Sequence, residues 1–241
     1  ANIYAKLEQR LTPYFTLFAD VQFRHANYKM NGFRDHPTLF IHRKFDFFNP
    51  KIGITYHKNN WQSYFSFAIG NKEPNRDDFE AGAFPPSAET LYDFEAGIEK
   101  KGSNYSFGTS LYYMHYVDQL ILTGMINDVG AYTRTNGALS FRRGLELQGT
   151  KKFSSWLNAA ANIAFSENRI KSMTEFIDDY DNGGQIQRQH SNTPIAFSPS
   201  VVGGLTVNVL PAKNITFSLL SKYVSRQYLD NTGDRRRSLD P

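Results

Sequence analysis

The residue types that carry most enzyme and metal chemistry are present in this chain, but they are scattered. His25, His36, His42, His57, His115 and His190 include no pair at metal-ligand or catalytic-triad spacing. Asp178, Asp179 and Asp181 offer oxygen ligands to a hard cation. The run lacks the spaced ligands and closing Glu of a calcium loop, so a solvated turn is expected. Asp93, Glu95, Glu99 and Glu146 sit in strand-like runs. Paired carboxylates can share acid–base work; on neighbouring strands they more simply pair with Arg142, Arg24 or Lys222, or with residues of a segment packed inside the sheet. Arg235-Arg-Arg237 reads as a short charge run. No nucleophile elbow, phosphate-binding glycine loop or zinc signature occurs. The absence of cysteine removes disulfides, thiolate metal sites and cysteine nucleophiles together. Neither catalysis nor a resident metal or cofactor is expected.

The elements that position these residues are seen best between Leu139 and Arg169. Leu139, Phe141, Leu145 and Leu147 fall on one face of an extended run, and Ser140, Arg142, Gly144, Glu146 and Gln148 on the other. After a short polar turn, Leu157, Ala159, Ala161, Ile163 and Phe165 alternate with Asn158, Asn162, Ser166 and Asn168. Period two on both arms means two-faced strands. A soluble barrel or sandwich shares this alternation, so strand length decides. Each arm runs about ten residues or more, as a tilted membrane-crossing strand requires, against about five or six in soluble sheets.

Composition agrees. Hydrophobic residues make up 40% of the 241 and the mean hydropathy is −0.50, yet there are 20 Phe, 14 Tyr and 2 Trp. A membrane strand shows lipid only every second residue, so a transmembrane barrel can be polar on average. No run is long and apolar enough for a transmembrane helix. The net charge of +4 is dispersed and gives no reason to expect a nucleic-acid partner.

Along the chain the alternation predicts about ten strands in five hairpins, with tight turns near residues 12, 59, 102, 154 and 212. The opposite ends are joined by polar stretches near 29–43, 71–88, 123–132 and 171–197, expected as loops. Pro74, Pro85 and Pro86 exclude a central strand from the second of these. Short turns at one end and long loops at the other are the signature of a transmembrane barrel with periplasmic turns and extracellular loops. Tyr14, Phe15, Trp61, Tyr105, Phe107, Phe153, Trp156 and Phe217 lie beside the turns, and Tyr113, Tyr116, Phe165, Tyr223 and Tyr228 farther along the arms. These are expected to form two interfacial girdles. The first residues open directly on a strand-like run and the last stop within a loop, so the 241 residues read as an excised piece of a longer chain.

Several stretches, in order, resemble the C-terminal barrel region of TonB-dependent outer-membrane receptors, in a Bacteroidetes-like form. Asn49-Pro-Lys-Ile-Gly-Ile-Thr-Tyr56 is similar to the strand that opens this region. Phe67-Ala-Ile-Gly-Asn-Lys-Glu-Pro-Asn-Arg-Asp-Asp78, Glu89-Thr-Leu-Tyr-Asp-Phe-Glu-Ala-Gly-Ile-Glu99, Leu111-Tyr-Tyr-Met-His-Tyr-Val-Asp-Gln-Leu-Ile121 and Arg143-Gly-Leu-Glu-Leu147 are similar to motifs that follow it. Pro199 to Tyr228 is similar to a later strand pair. The resemblance implies an all-β fold: an antiparallel up-and-down transmembrane β-barrel fragment, about ten strands of a 22-stranded barrel. Residues 1–241 would form a partial barrel domain, with plug, earlier strands and final strands outside it. It implies a cell outer membrane location, lipid around the wall, and TonB as a partner engaged through an N-terminal region. The implied activity is active transport of a scarce ligand, an iron–siderophore complex first of all. On that reading the ligand contacts are aromatic and charged loop residues, Arg76, Phe79, Phe84, Tyr132, Phe176, Tyr180, Arg188 and His190, because loops displayed by a rigid scaffold carry binding. The alternatives are a passive porin-like channel, which shares the barrel without a plug, and a soluble β-repeat binding protein.

Overall fold

The computed structural model describes residues 1–33, 37–80, 85–126, 132–137 and 139–241. Its strands and one short helix follow in order: β1 (Asn2–Arg10), β2 (Phe15–Asn31), β3 (Phe40–Lys58), β4 (Trp61–Lys72), α1 (Arg76–Glu80), β5 (Glu89–Lys101), β6 (Tyr105–Val117), β7 (Leu120–Ile126) and β8 (Tyr132–Asn136). Then come β9 (Ser140–Lys152), β10 (Leu157–Asp178), β11 (Gln185–Pro194), β12 (Val201–Ala212), β13 (Ile215–Val224), β14 (Gln227–Tyr228) and β15 (Ser238–Leu239). Ten of them form one antiparallel path, β1-β2-β3-β4-β5-β6-β9-β10-β12-β13, with β11 paired to the upper part of β10. The order follows the chain, as expected of an up-and-down wall. A propeller, built of separate four-stranded blades, is excluded by this single sheet.

The register shows why period two recurs in every strand. Leu17, Ile54, Phe65, Ala96, Leu111, Leu145, Phe165 and Val201 are successive partners across eight strands. One residue over, the row Gly53, Ser66, Glu95, Tyr112, Gly144 and Ser166 points the other way. The sheet is a single layer. Phe65, Leu111 and Phe217 stay 50%, 57% and 64% exposed, with no second layer over them, so their face is built to meet acyl chains. Among the described residues the wall is not closed: β1 and β13 each keep one edge without a strand partner. Large rings on the inner face lie over glycines. A Cβ at Gly97 would collide with the Tyr64 ring, and one at Gly144 with Tyr112.

The turn end is tight, as the sequence requires. Asn59 and Asn60 join β3 to β4 with φ of 48° and 68°, the left-handed pair that a two-residue hairpin needs. The opposite end departs from expectation. Most of the described residues in the stretches 29–43, 123–132 and 171–197 are strand: β2 and β3 run 17 and 19 residues, β10 runs 22, β7 pairs with β8, and β10 with β11. Beyond the membrane both sheet faces meet water, so the ladder continues without apolar alternation, and the sequence there looks like loop. The girdle is corrected at two positions. Tyr116 pairs with Leu91 and Ser140 on the inner-face register, and Tyr228 belongs to the β14–β15 pair off the main sheet.

Candidate functional site

The outer end of the wall holds the chain's small buried core and its candidate binding surface. β7 packs against β10, and Ile121, Ile170, Met173 and Ile195 form a buried cluster there. Above them lies a cleft of about 790 Å³. Its sides come from β7, the β10–β11 hairpin and residues 229–232; Leu122, Phe176, Ile177 and Leu229 make much of the apolar lining, and Tyr180 stands at the edge.

Three polar clamps fix the segments around this cleft. Asp78 is 3% exposed, and its carboxylate accepts both Nε and Nη2 of Arg134 at 2.7 and 2.8 Å, tying α1 to β8. Asp78 also exchanges hydrogen bonds with Asn75 across the start of α1. Glu175, on β10, meets His190 Nε2 at 2.7 Å through one oxygen and accepts Arg237 Nη1 at 2.8 Å through the other. Arg237 reaches Asp230 as well, at 2.9 Å. Asn231 closes the third clamp: it accepts from the Ala196 amide at 2.8 Å and donates to the Leu122 carbonyl at 3.0 Å. Sequence reasoning missed Arg134, Glu175, Asp230 and Asn231, and gave Arg237 no role. Nothing in their local sequence separates them from solvated loop residues, because their partners lie 35 to 109 residues away or, for Glu175 with His190 and Asp230 with Arg237, across a hairpin or a turn.

The strap from Leu229 to Leu239 is pH-sensitive by construction. Partial burial pushes the Asp230 carboxyl upward, but hydrogen bonds from the Thr232 side chain and amide and from Arg237 outweigh it and hold the group below the usual carboxylate range. A carboxyl depressed in the folded state contributes stability that is complete above its unfolded pKa, about 4. That contribution disappears as pH falls through the lower folded value. Acidification below pH 4 is therefore expected to loosen this strap, with faster amide exchange at residues 227–239. Asp230→Asn weakens the acid-dependent step, leaving the part carried by Asp234, which hydrogen bonds from Arg236 also hold low.

The eight expected ligand contacts fall into four groups. Arg76, exposed at the start of α1, lies over the Phe33 ring at 5.1 Å, while Tyr180 is 91% exposed and Arg188 is exposed on β11. Phe176 lines the cleft, and His190 stands behind it on Glu175. Phe79 is buried against Tyr28 and Phe45, where it anchors the base of α1. Tyr132 belongs to β8, but its side chain, like Phe84 and His36, lies outside the described residues. The cleft thus joins Phe176 and Tyr180 and leaves Arg76 and Phe79 on the far side of the Asp78–Arg134 clamp.

The inner face carries Tyr64, Glu95, Glu99 and Glu146 around two shallow recesses of about 300 and 490 Å³. The expected ion pairs there are replaced by others. Arg24 pairs with Glu73, Arg142 donates to Asn168 and Ser198, and Glu99 meets Lys101. Asp179 spends its carboxylate on the amides of Asp181 and Asn182, so it closes its own turn. Among the described residues no group of three or more metal-ligating side chains converges.

Comparison with known proteins adds the family. A family model described as "TonB dependent receptor-like, beta-barrel" matches residues 1–238. No curated protein sequence is detectably similar. Among solved structures, the ferric yersiniabactin uptake receptor FyuA from Yersinia pestis superposes with a TM-score of 0.68 at 19% identity, over 98% of this chain and 35% of its own. The siderophore receptor PiuA from Acinetobacter baumannii gives 0.74 at 14%, over 96% and 34%. The copper transporter OprC gives 0.76 at 11%, over 99% and 36%. The chain spans about a third of the length of these proteins.

Proposed function

Since the chain belongs to the TonB-dependent receptor β-barrel family and is part of an outer-membrane wall, we propose that it serves active uptake of a scarce ligand, an iron–siderophore complex, captured by its outer-end segments. In this reading TonB supplies the energy through another part of the receptor. Similar structures carry siderophores in some cases and copper in another, which supports transport more broadly than it supports iron.

The observation that carries the reading is the outer-end cleft. It is apolar inside, is held open by three buried polar clamps, and is edged by an almost fully exposed Tyr180. Rigid support lowers the ordering cost of binding, and an exposed ring at the edge of an apolar cleft suits a chelate with aromatic or amide groups. Arg188 is exposed one strand away and pairs in register with Glu175. We place Tyr180, Phe176 and Arg188 in contact with the ligand, with Arg76, Tyr132 and Phe84 as further contacts from neighbouring segments. Phe79 and His190 act beneath them as supports.

The test is binding of a panel of ferric chelates to the intact receptor, read by intrinsic fluorescence. Tyr180→Ala with Arg188→Ala is expected to weaken binding of the preferred chelate by about tenfold or more, as removal of two good contacts does. Unchanged affinity in the double variant rejects the contact assignment. Saturable binding of no iron chelate, with binding of another cargo, rejects the iron reading.

A further inference from the structure

We propose that the turn end of this wall binds the headgroups of anionic phospholipids, through three lysines held over the outward aromatic rings of the rim. Lys58 Nζ lies 5.1 Å from the centre of the Tyr14 ring, Lys100 Nζ 4.7 Å from Trp61, and Lys151 Nζ 5.4 Å from Tyr105. The inference rests on the membrane-wall reading and is independent of the transported ligand.

Register puts all three lysines on the lipid side. Lys58 pairs with Trp61, which pairs with Lys100, which pairs with Phe107; Lys151 pairs with Tyr105 and with Ala159. These belong to the same face as Leu111 and Phe165. The inward register at this end carries Lys101, neutralised by Glu99 at 2.9 Å, and Lys152, which has no aromatic ring beneath its ammonium among the described residues. Among the described residues Lys58, Lys100 and Lys151 make no ion pair, whereas Lys6, Lys72 and Lys101 do.

Among the described residues the lipid-side register contains no carboxylate until Glu167, which Arg143 holds at the other end of the apolar band, and Asp46 farther out beside His25. From Lys151 to Arg143 along β9 is about 27 Å of strand, or about 20 Å of depth once tilted, close to the height of an apolar membrane band. The lysines therefore stand at the headgroup level of the leaflet beside the turns. They occupy alternate strands, so Lys58 and Lys100 lie about 9–10 Å apart, and Lys151, two residues farther along its strand, about 12 Å from Lys100. Each ring fixes an ammonium near the surface while leaving its outer side free, since a cation on a π face keeps donors to give. A row of unpaired, pre-placed cations without a competing acid complements phosphodiester groups that carry net negative charge. Zwitterionic headgroups bring their own ammonium and would be repelled at the same spot.

The probe is phosphatidylglycerol against phosphatidylethanolamine, titrated into the delipidated intact receptor in detergent and read by native mass spectrometry. The wild type is expected to retain phosphatidylglycerol about tenfold more strongly, a preference that decays in high salt. K58Q/K100Q/K151Q is expected to lose the preference, while the corresponding triple Lys→Arg variant keeps it. Binding of the transported ligand is expected to be the same in all three proteins, which separates this result from the capture reading. Should the glutamine variant fail to fold, Lys100→Gln alone, next to Trp61, gives a partial loss. Equal retention of the two lipids by the wild type, or an undiminished preference in the glutamine variants, overturns the proposal.

Discussion

Arginine in place of Leu111 in the intact receptor will lower its unfolding free energy in a lipid bilayer by about 2–4 kcal/mol, the penalty for a cation near the middle of a barrel's apolar band. Leu111 is flanked in register by Ala96 and Leu145, all on the face that stays exposed without a covering layer. Its neighbour Ser110 faces the other way, next to Gly97 and Glu146. Ser110→Arg should therefore cost little, because the inner face is polar and Glu146 offers a partner. Denaturant titration of the two variants in the same bilayer measures the difference. Equal costs would mean that the two faces meet the same medium, and the membrane reading of the wall would fail. The comparison is sharp because it uses one chemical change at adjacent residues, leaving the backbone ladder untouched.

Removing the Arg134 side chain will unlatch the β7–β8 hairpin from α1. The Asp78 carboxylate would be left inside the structure with its two best donors gone, and breaking a buried pair from one side typically costs about 3–5 kcal/mol. The loss is local, since Phe79 still holds the base of α1 against Tyr28 and Phe45 and β8 stays paired to β7. Hydrogen exchange in residues 132–136 and in the start of α1 is expected to accelerate by about a hundredfold or more in Arg134→Met. Pairing that change with Asp78→Asn should recover much of the protection, because the neutral amide costs far less to bury and still reaches the Asn75 amide. If the single variant exchanges like wild type, the clamp holds nothing. Ligand binding by these variants would show whether α1 must be latched for capture.

Much of the wall was legible in the residues alone. Period two in arms such as Ser140–Lys152 and Leu157–Phe165 fixes which side chains share a face, and a tight turn between them fixes the neighbour. This works because a membrane strand answers to two solvents at once, so its pattern is written in every second residue. The turn-end rings follow the same logic, since Trp61 and Tyr105 fall on the lipid-side parity. Tyr116 shows the limit of composition: an aromatic of the right type at the right distance faces inward because its parity is even.

Above the membrane that code stops. With water on both faces, Phe40–Asp46 and Gln185–Pro194 extend the ladder through backbone hydrogen bonds that any polar sequence can make, and the residues read as loop. The clamps were beyond reach for a different reason. Arg134 finds Asp78 across 56 residues and Arg237 finds Glu175 across 62, and no local pattern encodes a partner so distant. The sequence by itself determined a two-faced barrel wall, its hairpins and the end that carries the turns, because those follow from alternation and strand length. Only the tertiary structure decided which outer residues are buried supports and which are free to touch a ligand, because that depends on long-range pairs formed once the strands have placed them side by side.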